Sequence, residues 1–251
     1  MLREDTVFGP ISSRRLGSSL GINLLPTKGK LCNFDCIYCE CGWNRDGLQD
    51  RRLPSAAEVR DALATKLAEC SAVGTPIDSI TFSGDGEPTL NPDFAQIIDD
   101  TIELRDRYYP SARVSVLSNA TRICRESVFQ ALRKVDNPIL KLDAPTSELA
   151  ARINRPVGDY DVEQIIRDLE RFDGDFVLQT MFLRSPDFDS SSDEILLPWM
   201  DIVRRLHPRE VMVYTIARPT QQSGLEKFSE AQMRSLVRPL IEEGYNIQIK
   251  A

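Results

Sequence analysis

Short β-branched and apolar runs recur along the chain at 19–25, 80–83, 113–119, 139–143, 176–182 and 211–217, with a last one at 246–250. Their length and composition predict strands. Between them, apolar residues return at helical spacing over 55–71, 92–108, 126–135, 162–172, 193–206 and 229–243. The first of these has the clearest start signal. Ser55 and Glu58 stand in the spacing of a capping box, and Val59, Leu63, Leu67 and Cys70 then fall on one face.

Alternation of strand and helix predicts a parallel sheet covered by helices. Six or seven units suit an open barrel better than a closed eight-fold one, so the expected fold is α/β, a partial (β/α)6 TIM-like barrel with parallel strands and outer helices. A doubly wound sheet is the alternative, because periodicity does not fix strand order. The expected organisation is one domain over 1–251. It would have an N-terminal extension at 1–18, a core at 19–217, and a C-terminal helix and short strand at 218–251.

In either architecture ligands sit beyond the carboxyl ends of the strands, and those ends are polar here. The second strand leads into Ser83, Gly84, Asp85, Gly86, Glu87 and Pro88. The third ends in Ser118 and Asn119. The fourth carries Lys141 and Asp143, the fifth Gln179 and Thr180 before Met181 and Arg184, and the sixth Tyr214 and Thr215 before Arg218. A period of two puts Lys141 and Asp143 on the face opposite Leu140 and Leu142. If the leucines meet the helices, a charged pair faces inward, as a functional group or as a structural ion pair.

The bulk numbers narrow the class. At 251 residues, with 41% hydrophobic and 27% charged content, the chain can bury a full core without disulfides. No apolar run approaches a bilayer span, and the first residues lack an apolar signal segment. A cytoplasmic location is expected. The formal charge of −7 disfavours nucleic acid as a dominant partner. Residues 1–52 are the exception, with eight Lys/Arg against six Asp/Glu. There Arg14, Arg15, Lys28 and Lys30 have the means to attract an anion.

Six cysteines in a reducing compartment do not suggest a disulfide framework. Three of them, Cys32, Cys36 and Cys39, have the spacing C-x3-C-x2-C, which points to metal. Three thiolates cannot ligate all four irons of a 4Fe–4S cluster, so one iron would stay open to an outside ligand. With Cys41 as a fourth sulfur, a closed structural zinc site is the rival. Spacing alone leaves both open. Cys70 lies on the apolar stripe of its helix and reads as core, while Cys41 and Cys124 have no assigned role. The single histidine, His207, followed by Pro208 at an expected helix end, reads as structural or exposed, which argues against a Ser-His-Asp triad or a His-rich metal site. There is no phosphate-binding GxxxxGK[ST] loop.

The cysteine loop, with Tyr38 before its last cysteine, resembles the signature of the radical S-adenosylmethionine (SAM) superfamily. The turn from Ser83 to Pro88 is similar to that superfamily's GGEP-type motif after the second strand. The resemblance implies that Cys32, Cys36 and Cys39 hold a 4Fe–4S cluster whose open iron chelates the amino and carboxylate groups of SAM. It implies that the backbone of Gly84, Asp85, Gly86 and Glu87, with Ser83, contacts the methionyl end. Tyr38 would lie near adenine, and Ser118, Asn119 and Asp143 near ribose and carboxylate, with Gln179, Met181 and Tyr214 at the later strand ends. The implied reaction is reductive cleavage of SAM to a 5′-deoxyadenosyl radical, which abstracts hydrogen from a substrate. That substrate is unidentified, a small molecule or a modified nucleobase. A flavodoxin or ferredoxin would donate the electron.

The stretch Phe8-Gly9-Pro10, Ser13-Arg14-Arg15-Leu16-Gly17 and Leu20-Gly21-Ile22-Asn23 looks like the branch related to tRNA wybutosine synthase. In that branch a substrate-binding lysine is known, and Lys141 is the residue here that is similar to it. Wybutosine synthases carry a second cluster on cysteines upstream of the signature. No cysteine precedes Cys32 here, so the chemistry class transfers and the substrate does not. The loop at 184–193, rich in Ser and Asp, reads as solvated, with a substrate lid as the alternative. The competing function is a non-catalytic interaction module stabilised by zinc or an inert cluster.

Overall fold

The computed structural model describes residues 5–13, 16–47 and 51–251. Arg14 and Arg15, two of the expected basic residues, lie outside them. The described strands are β1 (Val7–Ser13), β2 (Gly17–Ile22), β3 (Ser79–Phe82), β4 (Arg113–Ser118), β5 (Asn137–Lys141), β6 (Val177–Met181), β7 (Leu183–Ser185), β8 (Phe188–Asp189), β9 (Glu210–Tyr214), β10 (Glu226–Lys227) and β11 (Ile247–Lys250). The helices are α1 (Ala56–Ala72), α2 (Phe94–Tyr108), α3 (Glu126–Lys134), α4 (Ser147–Ile153), α5 (Val162–Glu170), α6 (Asp193–Leu206), α7 (Glu230–Leu236) and α8 (Arg238–Glu242). Eight strands share one sheet in the order β1-β2-β3-β4-β5-β6-β9-β11, and a small sheet has the order β10-β7-β8. The chain clusters into two compact units. One comprises Met1–Cys32, Trp43–Ser118 and Cys124–Pro138, and the other Asn33–Gly42, Asn119–Ile123 and Ile139–Ala251.

In the first unit β2, β3 and β4 run parallel, in register Leu20↔Ile80↔Val114 and Ile22↔Phe82↔Val116. All six side chains are fully buried, each worth about 2 kcal/mol of apolar burial. Their face meets α2, where the Phe82 and Phe94 rings pack edge to face. The opposite face is a ladder of hydroxyls. Ser19 Oγ lies 2.7 Å from Thr81 Oγ1, and Ser79 Oγ lies 3.0 Å from both Thr81 Oγ1 and Ser115 Oγ. These buried groups satisfy one another, which offsets the cost of taking them out of water. β1 pairs antiparallel with β2 across a bulge and was not expected from the sequence. Lys28 is exposed, whereas Lys30 is buried, so the expected basic surface is smaller than the sequence implied.

In the second unit β6, β9 and β11 are parallel, and β5 runs parallel to β6. The register aligns Lys141 with Gln179 and Met212, and Leu140 with Leu178 and Val211. Thr180, on the leucine face, accepts a hydrogen bond from Trp199 Nε1 of α6 at 3.1 Å. The leucine side therefore faces helix, and Lys141 faces away from it, as the alternation predicts. Several elements differ from expectation, the short strand β10 among them. The stretch expected as one helix over 229–243 is two, α7 and α8, because Pro239 has no N–H to offer the preceding turn. α4 appears where no helix was expected, and the loop at 184–193 holds β7 and β8. Among the described residues no helix is long and apolar enough to cross a membrane.

Candidate cluster and cofactor site

The glycine turn and the residue before the first signature cysteine are joined by backbone. Leu31 N–H donates to Asp85 C=O at 3.0 Å, and Glu87 N–H donates to Leu31 C=O at 3.1 Å. The two segments pair as a parallel bridge, Leu31 with Gly86. This approach explains the glycines. At Gly86, with φ +143°, a Cβ would stand 1.8 Å from Leu31 O, and at Gly84 one would stand 2.0 Å from Asn23 Oδ1. Asn23, fully buried at the end of β2, accepts from the N–H groups of Asp85 and Leu25 at 3.1 Å each and donates to Asp85 Oδ2 at 3.2 Å. Glu87 caps the next turn. Its Oε1 accepts from Thr89 N (3.1 Å), Thr89 Oγ1 (2.6 Å) and Ser118 Oγ (2.8 Å). Gly84, Gly86, Glu87 and Ser118 thus belong to one cradle, with Ser83 entering it on a backbone bond to Ile22.

The rest of the cysteine loop is zipped to the end of α4. Ile37 N–H donates to Ile153 C=O (3.0 Å), Asp35 N–H to Asn154 C=O (2.9 Å), and Val157 N–H to Asn33 C=O (2.9 Å). Phe34 is buried and packs edge to face on Tyr160 at 5.2 Å. Cys39 N–H donates to Cys36 C=O at 3.1 Å, so the last two cysteines share a tight turn. Asn33 is held by side chains as well. It donates to Thr121 Oγ1 at 2.5 Å and accepts from Asn119 Nδ2 at 2.7 Å, while Asn119 Oδ1 takes both donors of Thr121.

Between β5 and the loop lies a closed polar network. The Asp143 carboxylate has no exposed surface. It accepts from Tyr38 OH, from Asn154 Nδ2 at 2.7 Å and from the Met181 N–H at 2.9 Å. Lys141 Nζ lies 3.7 Å from it and donates to Tyr214 OH (2.6 Å) and Tyr38 OH (3.0 Å), with both rings 5.1 Å away. Burial works against the Lys141 charge, yet Asp143, Tyr214 and Cys36 together outweigh it and hold the amine above its usual range. Burial, reinforced by Asp143, pushes the Tyr38 phenol well above the usual range. Burial also lifts the Cys36 thiol to about 11, against a lowering by Lys141 and by the hydrogen bond from Asn154. An inward Lys141–Asp143 pair was expected. Its partners Asn154 and Tyr214, and the neighbouring Tyr160, complete it.

The structure thus gathers Tyr38, Lys141, Asp143, Met181 and Tyr214. Gln179 is buried beside Lys141 and donates to Met212 Sδ at 3.5 Å. Asn23, Asn33, Thr121 and Asn154 were not anticipated as site residues. Asn23 had a signal in its position at a strand end, and the others had none. Cys70 is buried as expected, Cys124 is exposed, and His207 is an exposed left-handed cap of α6 packed edge to face on Tyr245.

The residues fit an iron–sulfur cluster. Cys32, Cys36 and Cys39 are in no disulfide and make an all-sulfur donor set of the kind such clusters take.

Known proteins place the chain. It is 29% identical over 220 residues to a UPF0026 protein of Methanocaldococcus jannaschii, a match covering 86% of this chain and 64% of that one. The chain therefore spans about two thirds of that relative's length. A radical SAM methyltransferase from Sphaerobacter thermophilus superposes with a TM-score of 0.68 at 15% identity, over 92% of this chain and 65% of that one. TYW1 with a lysine–pyruvate adduct bound superposes with a TM-score of 0.63 at 15% identity, over 90% and 74%. The fold is thus α/β, of the partial-barrel class that these enzymes share. The sequence pattern of the radical SAM superfamily, which uses a 4Fe–4S cluster and SAM, matches residues 27–187. That span is more than half of the chain, which belongs to the radical SAM superfamily.

Proposed function

We propose that the chain is an enzyme that cleaves SAM reductively on a cluster held by Cys32, Cys36 and Cys39. The observation that carries this reading is the backbone bridge between Leu31 and Gly86. It ties the glycine turn to the residue preceding Cys32, so a ligand lying along the turn is fixed relative to the first cluster thiol. When bound, the cluster supplies one electron to the SAM sulfonium, giving methionine and a 5′-deoxyadenosyl radical that takes hydrogen from the substrate.

The protein's own part is binding and orientation. Gly84 and Gly86 let the backbone approach the methionyl end without a Cβ in the way. Asn23 fixes Asp85 by both its backbone and its side chain. Glu87 and Ser118 brace the turn. Tyr38, anchored by Asp143 and Lys141, offers a ring of fixed orientation to adenine. Asn119 is spent largely on holding Asn33 and Thr121, so its role toward SAM is to support the loop. Lys141 and Tyr214 face the reaction side of β5 and β9, and Gln179 and Met181 line the strand between them. TYW1 holds a lysine–pyruvate adduct. Here the Lys141 ammonium donates to two phenols, so we assign it to orienting Tyr38 and Tyr214. The electron donor is a flavodoxin or ferredoxin, and cysteines outside any disulfide suit a cytoplasmic setting.

The test is anaerobic reconstitution with iron and sulfide, then SAM and dithionite, with 5′-deoxyadenosine and methionine measured together. About four irons per chain and equal amounts of the two products are expected. The C32S/C36S/C39S chain is expected to give neither. A colourless wild-type chain that retains only zinc would sink the proposal and favour an interaction module.

A further inference from the structure

Asn154 is 2% exposed, at the C-terminal cap of α4, and has no part in the proposed binding of SAM. Its Nδ2 lies 2.7 Å from Asp143 Oδ2, 3.4 Å from Tyr38 Oη and 3.4 Å from Cys36 Sγ. The amide carries two hydrogens. The short contact to the carboxylate takes one. The other points between the phenol oxygen and the sulfur. Tyr38 donates its own hydrogen to Asp143 and already receives Lys141 Nζ at 3.0 Å, which leaves Cys36 Sγ as the acceptor in need of a donor. The carboxylate also decides which way the amide faces. Flipped, Asn154 would set its oxygen 2.7 Å from a buried carboxylate, so only the donor orientation is stable.

The contact is built in rather than incidental. Asn154 C=O accepts the Asp35 N–H at 2.9 Å, and Ile153 C=O accepts the Ile37 N–H at 3.0 Å. These two backbone bonds flank Cys36 and hold its sulfur at the cap of α4. The sulfur is buried, with little water to supply a donor instead.

We propose that Asn154 is a positioning residue that tunes the cluster potential through an N–H···S bond to Cys36. This rests on the reading that Cys36 is a cluster ligand. One electron taken up by the cluster adds negative charge that spreads onto its sulfurs. A fixed donor on a ligand sulfur strengthens as that charge grows, which favours the reduced form and raises the potential. The network from Lys141 through Asp143 to Asn154 holds that donor in place. Asp143 thereby acts on the metal site through Asn154, without being a ligand.

The experiment uses the full chain, reconstituted anaerobically and titrated with dithionite in the presence of mediators, the reduced cluster being followed by electron paramagnetic resonance. Iron and sulfide content of the wild type tests the underlying reading first, and a chain that takes up no cluster sinks that reading. Asn154→Leu keeps the volume and removes the donor. Its midpoint is expected to move to more negative potential, with about tenfold less reduced cluster at a fixed poise, equivalent to about 59 mV for one electron. Asn154→Ala, the second variant, also removes the donor but admits water, so a smaller shift of the same sign is expected. Opening the site to solvent without loss of a donor would move the midpoint the other way. Wild-type midpoints in variants with full iron content overturn the proposal. So do variants that fold but hold no cluster, since Asn154 would then only brace the loop.

Discussion

At single positions the geometry gives sharp expectations. Gly86→Ala would put a methyl group into Leu31 O, at a φ that L-residues avoid. The backbone must move, and the bridge that carries the proposed function moves with it. A loss of about 2–3 kcal/mol in urea unfolding is expected, with loss of SAM binding by equilibrium dialysis. Unchanged binding would show that the turn does not hold the cofactor. Asp143→Ala strands a buried ammonium and leaves three donors without their acceptor. Breaking a buried pair by removing either partner costs about 3–5 kcal/mol, so Lys141→Met is expected to be destabilised as well, and Asp143→Ala more so because three donors also lose their acceptor. Equal stabilities in urea unfolding would mean that those donors find other acceptors. At this scale the sequence revealed residues whose meaning is local. The cysteine spacing and the glycine turn are such cases, because both act within a few residues of chain. Asn154 and Asn33 could not be read, since nothing near them in sequence says which asparagine will face a sulfur 118 residues away or a threonine 88 residues away.

Among the elements, α1 is the best-announced. Ser55 and Glu58 form the capping box that their spacing predicts, and the Val59, Leu63, Leu67 and Cys70 stripe is buried. Ser55→Ala is expected to cost about 1 kcal/mol of stability, read by chemical denaturation. The turn after β8 is a pH-sensitive element. Burial pushes the Asp189 carboxyl up, but hydrogen bonds from Ser191 and Arg184 outweigh it and hold the group below its usual range. A folded value below the unfolded one means that the stabilisation is complete above the unfolded value and is lost as pH falls through the folded one. Asp189→Asn should therefore flatten the acid limb of unfolding below about pH 4, and identical acid limbs would exclude the linkage. The elements that the sequence hid are the ones that lean on tertiary partners. β7, β8 and β10 have two or three residues each, too few to show a period. α4 has seven residues and owes its place to the cysteine loop zipped along its end. The break between α7 and α8 has a visible cause in Pro239, although the apolar spacing runs on across it.

For the chain as a whole, class was legible and substrate was not, for a physical reason. Strand–helix alternation and two cofactor motifs recur wherever the same cofactors must be held, whereas substrate contacts come from loop side chains that obey no shared spacing. Cofactor binding also bears on the stability of the entire chain. A ligand that binds only the folded state adds stability by mass action, about 2.7 kcal/mol at a hundredfold excess over its Kd. For a chain of this size that is a rise of about 5–10 °C in Tm. SAM added to the reconstituted chain is expected to produce such a rise. SAM added after the cluster has been stripped with a chelator is expected to produce much less, because chelation of the amino and carboxylate groups by the open iron would be gone and only the cradle around Gly84 and Gly86 would remain. The difference between the two shifts measures how much of the SAM affinity belongs to the metal and how much to the backbone. Equal shifts would place SAM away from the cysteines and break the link between the turn and the cluster. A shift only in the loaded chain, lost in the Gly86→Ala variant, would tie both to one site.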